Sequence, residues 1–352
     1  MGVTTNAAPA GALAGMHPGY FALVMATGIV SIASHLVGLR AVALALFALN
    51  LAFYPALWGM TLARGLFHRD RVVADLLHHG RCVGFFTTVA ATCVLGSQCL
   101  LVGGAPRAAL ALWGLGIALW AVLTYAIFTL LTVKAEKPPL AEGLNGAWLV
   151  SVVAAQSVAA LGAQLAPGFA QHRAEALFFC LAMWLGGAML YLWIIGLIFY
   201  RYTFLPMSPS DLAPPYWINM GAAAISTLAG AALVAAAPHS PVLVEVLPFV
   251  RGFTILWWAT ATWWIPMLVI LGAWRHLYRR FPLQYDPLYW GAVFPLGMYT
   301  ACTARLSQAV SAPYLAAIPR AFVYVALTAW SVTMVGMVRS LLGSWRARAP
   351  GR

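Results

Sequence analysis

Residues 289–306 read YWGAVFPLGMYTACTARL, eighteen residues of which only Arg305 carries a charge. As an α-helix this run is about 27 Å long, close to the ~30 Å hydrocarbon thickness of a bilayer. Pro295 lies inside it, where a proline deletes one intrahelical bond and kinks the helix. Backbone polar groups freed in this way are tolerated at membrane depth only against protein or water. The run therefore reads as an inner helix of a membrane bundle, and its Gly, Ala and Thr residues permit close approach by neighbours.

The rest of the chain has the same character. Of 352 residues, 63% are hydrophobic and 8% charged, a composition that no soluble domain accommodates. Apolar runs near 18–38, 40–63, 83–103, 107–133, 147–166, 174–200, 215–236, 249–275, 288–309 and 317–343 are each long enough to span. The expected fold is an all-α integral membrane protein with ten transmembrane helices over 17–343. A disordered Ala/Gly/Pro-rich tail precedes it at 1–16, and a basic tail follows at 344–352. Nothing in 1–15 resembles a cleaved export signal.

All eight carboxylates lie in or beside the breaks between these runs. Because an intramembrane ionisable group is costly and marks cation or proton paths, an acid-free interior argues against a cation carrier or proton pump. Fourteen of the twenty Lys and Arg follow spans 2, 4, 6, 8 and 10, which places both termini in the cytoplasm and accounts for most of the net charge of +12. The five cysteines show no CxxC spacing and fall mostly inside apolar runs, where Cys acts as a small hydrophobe.

Eleven of the fifteen tryptophans occur in even spans, including Trp113, Trp184, Trp193, Trp258 and Trp330. Trp favours lipid interfaces, so the even spans are expected to form an outer, lipid-facing ring. Odd spans carry small and hydroxylated residues: Thr27 and Ser31, Thr88 and Thr92, Gln156 and Ser157, Asn219 and Ser226, Thr300 and Thr303. Such residues also serve helix packing. Their recurrence in five alternate spans nevertheless points to five helical hairpins whose first helices surround a central pore. Pro followed by an aromatic opens several odd spans (Pro18-Gly19-Tyr20, Pro215-Tyr216-Trp217, Pro287-Leu288-Tyr289), a weak internal repeat that span 3 lacks.

Within 289–306, Phe294 and Arg305 are eleven residues apart, so on a straight helix they share a face within about 20° and lie ~16 Å apart along the axis. If that face lines the path, the helix offers an apolar plug at depth and a cation near the external mouth, an arrangement suited to admitting and gating anions. Otherwise Phe294 packs against a neighbour and Arg305 snorkels to headgroups.

The segments HPGYFALVMATGIVSIA (17–33), AWLVSVVAAQSVAALGA (147–163), WINMGAAAISTLAGA (217–231), LWWATATWWIP (256–266) and YWGAVFPLGMYT (289–300) resemble the tellurite-resistance/dicarboxylate transporter family. That family takes in TehA-like bacterial proteins, plant guard-cell slow anion channels, yeast malate permeases and fungal sulfite pumps. The resemblance implies ten helices as five hairpins about a central pore, a homotrimer with one pore per subunit, and a pore-occluding phenylalanine at Phe294. Arg305 matches no motif of the family.

The expected function is passage of small inorganic or organic anions through a bacterial inner (plasma) membrane, gated by Phe294 above the Pro295 kink. The pore-lining candidates are Thr27, Ser31, Thr88, Thr92, Gln156, Asn219, Ser226 and Arg305. The alternative is a proton-coupled carrier of malate-like dicarboxylates or sulfite, for which His35 is the one histidine near the external end of an odd span. No enzyme activity, cofactor, metal or nucleic-acid partner is expected; His68, His78 and His79 form the only histidine cluster and read as part of a solvated loop.

Overall fold

The computed structural model describes residues 13–348 and, among them, contains helices and no strand. Ten long helices follow in order: α1 (Ala22–Leu36), α2 (Arg40–Phe67), α3 (Phe86–Leu101), α4 (Pro106–Val133), α5 (Val150–Leu165), α6 (Arg173–Phe204), α7 (Ile218–Ala236), α8 (Leu247–Ala273), α9 (Trp290–Ala309) and α10 (Ala317–Arg348). Of the proposed tails, residues 1–12 and 349–352 lie outside the described residues. Residues 13–15 form a turn, Met16 is buried, and α10 continues to Arg348, past the expected boundary at 343.

Odd and even helices play different parts. α1 packs on α3, α3 on α5, α5 on α7, α7 on α9, and α9 back on α1, so the five odd helices close into a ring. Each even helix lies outside this ring against its own hairpin partner, and α4, α6, α8 and α10 each also touch the next odd helix. Large hydrophobic side chains that are exposed within the ten helices, such as Leu115, Val122, Leu192, Trp193, Trp263 and Val332, lie on even helices only. Nine helices of the described residues are long and apolar enough to cross a membrane. α9 falls short because Gly, Thr, Pro, Gln and Arg dilute its apolar residues, as suits a helix shielded from lipid.

The odd helices are short, 15 to 20 residues, against 27 to 32 for the even ones. A 15-residue helix rises only about 22 Å. The deficit is made up by a 3₁₀ turn leading into every odd helix: Pro18–Phe21, Cys82–Phe85, Gly146–Leu149, Pro214–Trp217 and Pro287–Tyr289. At ~2 Å per residue, such a turn brings α1 to roughly bilayer thickness. The repeat seen in part of the sequence thus occurs in all five hairpins, including the one whose turn begins with Cys82 in place of proline. Three turns are capped by a side-chain acceptor from the preceding residue: His17 Nδ1 to Gly19 N–H, Asn145 Oδ1 to Ala147 N–H, and Asp286 Oδ1 to Leu288 N–H.

These turns also touch one another in sequence, the fifth meeting the first, and form a closed collar at one end of the ring. Two glycines make the approach possible. A Cβ on Gly84 would stand 2.8 Å from the Gly19 nitrogen, and one on Gly146 would stand 2.5 Å from the Tyr216 Cα.

Three arginines near the ends of even helices fasten the collar from outside. Arg64 (α2) donates to Asp75 at 2.7 Å and to the Ala14 carbonyl; Arg201 (α6) donates to the Leu144 carbonyl and the Tyr216 hydroxyl; Arg275, just beyond α8, donates to the Leu212 carbonyl at 2.6 Å. All three are buried. Their basic character was expected to report topology alone, and the structure adds a tethering role that sequence position did not reveal.

Candidate functional site

The far end of the ring, opposite the collar, opens into a cavity of about 610 Å³ to which all five odd helices contribute: Leu36 of α1, Ser97 of α3, Gln164 of α5, Leu228 of α7 and Arg305 of α9. A sixth wall residue, Arg251, comes from α8. No carboxylate lines this space, and His35 does not line it.

The face of α9 that points along this axis follows from what occupies the other faces. A Cβ on Gly221 of α7 would meet the Pro295 ring at 2.7 Å, and a Cβ on Gly297 would meet Ile29 and Val30 of α1 at 2.9 and 3.0 Å, so Pro295 and Gly297 mark the two ring neighbours. Tyr299 bonds Thr262 of α8 and stacks edge-on against Phe322 of α10, while Thr303 accepts from Trp258 of α8; these mark the outer ring. At about 100° per residue, the sector between these marks carries Phe294, Met298, Ala301 and Arg305, along with Trp290, whose ring lies 6.4 Å from that of Trp330 of α10. Phe294 is 1% exposed. α9 is continuous through Pro295, which cannot donate to the Gly291 carbonyl one turn earlier.

The hydroxyl and amide candidates all find hydrogen-bond partners within the protein. Thr27 accepts from Trp330 Nε1 of α10 (3.0 Å), Ser31 donates to the Ala43 carbonyl of α2 (2.7 Å), and Thr92 meets the Tyr54 hydroxyl of α2 (2.8 Å). Gln156 donates to the Trp184 carbonyl of α6 (3.0 Å), and Asn219 to the Tyr202 hydroxyl of α6 (3.2 Å). Thr88 and Ser226 donate to carbonyls of their own helical turns, Phe85 and Ala222, and the Ser226 carbonyl accepts from Trp184 Nε1. These groups tie the inner ring to the outer one or back to themselves, and none of the seven lines the cavity. The physical reason is that an odd helix is buried on every side, so a hydroxyl needs a partner wherever it points.

The tryptophans correct the same picture from the other side. Trp184, Trp257 and Trp264 of the even helices are fully buried, whereas Trp193 and Trp263 are exposed. The indole N–H groups of Trp113, Trp184, Trp258 and Trp330 donate inward to odd helices. Trp here marks the seam between rings as much as the lipid boundary.

Electrostatically, the collar end is crowded. Asp75 is buried, which by itself raises its pKa, but bonds from Arg81 and Arg64 outweigh this and hold it below the usual carboxylate range. His17 is pushed down to about 4, by burial first and by the nearby Arg81 second. Among the described residues no cluster of three or more His, Cys, Asp or Glu is arranged to hold a metal.

A ring of five helices thus encloses an axis, with a cavity lined by two arginines and no carboxylate at one end. Residues 15–338 match the family described as voltage-dependent anion channel (SLAC1). The chain belongs to this anion channel family. Other members or relatives differ in how far they have been characterised. An uncharacterised transporter of Methanocaldococcus jannaschii is 26% identical over 326 residues, covering 90% of this chain and 91% of the relative. A protein named sulfite efflux pump, from Trichophyton rubrum, is 24% identical over 344 residues, 91% of this chain and 89% of its own. An uncharacterised membrane protein of Mycobacterium tuberculosis is 40% identical over 152 residues, 43% of this chain and 77% of the relative. This anion channel family member is thus a multi-pass membrane protein whose relatives bear the names of transporters.

Proposed function

We propose that the protein passes small anions across the membrane along the axis enclosed by the odd helices, and that the Phe294 ring closes this path. The observation that supports the reading is the burial of Phe294, taken with its helical position away from Pro295, Gly297, Tyr299 and Thr303, which meet neighbouring helices. Arg305, on the same face near the far end, opens into the shared cavity. Pro295, beside the plug, fits against Gly221. The collar end faces the cytoplasm, in keeping with the basic residues that follow the even helices. The trimer implied by family resemblance belongs to this proposal, with one path in each subunit.

The sulfite pumps among the relatives favour an oxyanion as one cargo. Passage without proton coupling is favoured over a coupled carrier because the one acid within the ten helices, Glu175, sits in the first turn of α6, and neither it nor His35 lines the cavity. The deciding experiment is flux into liposomes of chloride, nitrate, sulfate, sulfite and malate, with and without a pH gradient. Electrogenic flux independent of the gradient is expected. Strict dependence on protons would replace the channel with a carrier.

A further inference from the structure

We propose that the far-end cavity is a capture site for small oxyanions, held by Arg251 together with Arg305, an assignment that rests on the anion-passage reading above. Neither family resemblance nor the sequence pattern singles out Arg251, which lies near the start of an outer helix. It lines the cavity together with Arg305, from the exposed start of α8.

The two charges are uncompensated. No Asp or Glu lines the cavity, and neither arginine forms a salt bridge. The polar contact made by Arg305 is a long one, 3.4 Å to the Gln308 amide oxygen, which leaves most of its donors unused. Much of the wall is Leu, Ala, Val and Ile, and low-dielectric walls around like charges focus the field and concentrate counter-ions. A guanidinium also presents paired donors in a planar fork that matches two oxygens of one ligand, a geometry that a spherical halide cannot use. The class of ligand is therefore a small anion with at least two oxygens, such as sulfate, sulfite or a carboxylate. A lipid headgroup phosphate shares this chemistry and is separated from a free ion by the test.

Arg251→Gln and Arg305→Gln, singly and together, are compared with the wild type in proteoliposomes at low ionic strength. Each replacement should raise the half-saturating concentration about threefold for chloride and about tenfold for sulfate, because Coulomb energy scales with ligand charge. Arg→Lys at the same positions should restore the chloride value and only part of the sulfate value. Wild-type-like half-saturation for both anions in folded, conducting variants would overturn the site while leaving anion passage intact. If the wild type conducts nothing, the passage reading fails, and the site is judged by binding: sulfate should raise the melting temperature of the detergent-solubilised wild type and not that of the double variant. Equal stabilisation of both would overturn it. Adding phosphatidylglycerol is the last arm, and protection that appears only with lipid would give the arginines to a headgroup instead. Should Arg305→Gln fail to fold, Arg251→Gln, altered at an exposed side chain, still decides the matter.

Discussion

Replacing Phe294 with Ala is the change that most directly tests the path. In the structure the ring is 1% exposed, so the closed state gains nearly the full benefit of burying a phenylalanine, about 1.5 to 3 kcal/mol relative to a ring swung into water. That difference corresponds to a closed population roughly 10 to 150 times the open one. Phe294→Ala removes the advantage and should raise anion flux per folded molecule by about one to two orders of magnitude. Phe294→Leu should give a smaller increase, since Leu still fills much of the space and keeps the constriction dry. The assay is anion conductance in planar bilayers, normalised to protein that remains monodisperse and melts cooperatively. If the ring is ordinary packing, truncation leaves a void costing about 3 to 5 kcal/mol, and folded yield falls with no gain in flux. Unchanged conductance in a well-folded Ala variant would refute the plug.

Thr27→Val and Trp330→Phe each break the same bond between rings, so a double-mutant cycle should return a coupling of about 0.6 to 1.7 kcal/mol in stability, with anion selectivity unaltered. Changed selectivity in Thr27→Val would return that hydroxyl to the path. Asp75→Asn leaves buried Arg64 without its carboxylate and should destabilise the protein by about 3 to 5 kcal/mol, measured by thermal unfolding at neutral pH. His17, whose folded pKa is depressed to about 4 from an unfolded 6.5, contributes stability that is present above pH 6.5 and lost as pH falls toward 4, because the unfolded chain binds the proton first. In His17→Gln, where an amide oxygen can take over the Gly19 cap, the slope of melting temperature against pH across that window should flatten; an unchanged slope would assign it to other groups.

Much of this architecture was legible beforehand because membrane folds leave coarse marks. Length and apolarity located the ten spans, and the contrast between Trp-rich and Gly/Ser/Thr-rich runs separated outer from inner helices. What sequence withheld was direction. Thr27, Ser31 and Thr92 sit on helices surrounded by protein on all sides, so no apolar stripe reveals which way a hydroxyl turns. The amphipathic indole marks the helices of Trp330 and Trp184 as lipid-facing, yet the N–H that makes it so is what draws these rings inward. Arg251 carried no signal at all, since it belongs to an outer helix and meets the cavity only in three dimensions.

The collar of 3₁₀ turns has a kinetic consequence. With Gly84 and Gly146 pressed against the backbone of adjacent turns and three arginines clamping the segments between them, no odd helix can pivot at that end without moving its neighbours. A bundle so fastened does not dilate like an iris, and if Phe294 closes the path, the inexpensive freedom left is rotation of that one side chain. Rotamer exchange runs orders of magnitude faster than collective helix motion, which occupies microseconds to milliseconds. Opening by Phe294 should therefore appear in single-molecule current records as rapid flicker that blurs into a reduced average conductance, without the long, discrete dwell times of a gate built from moving helices.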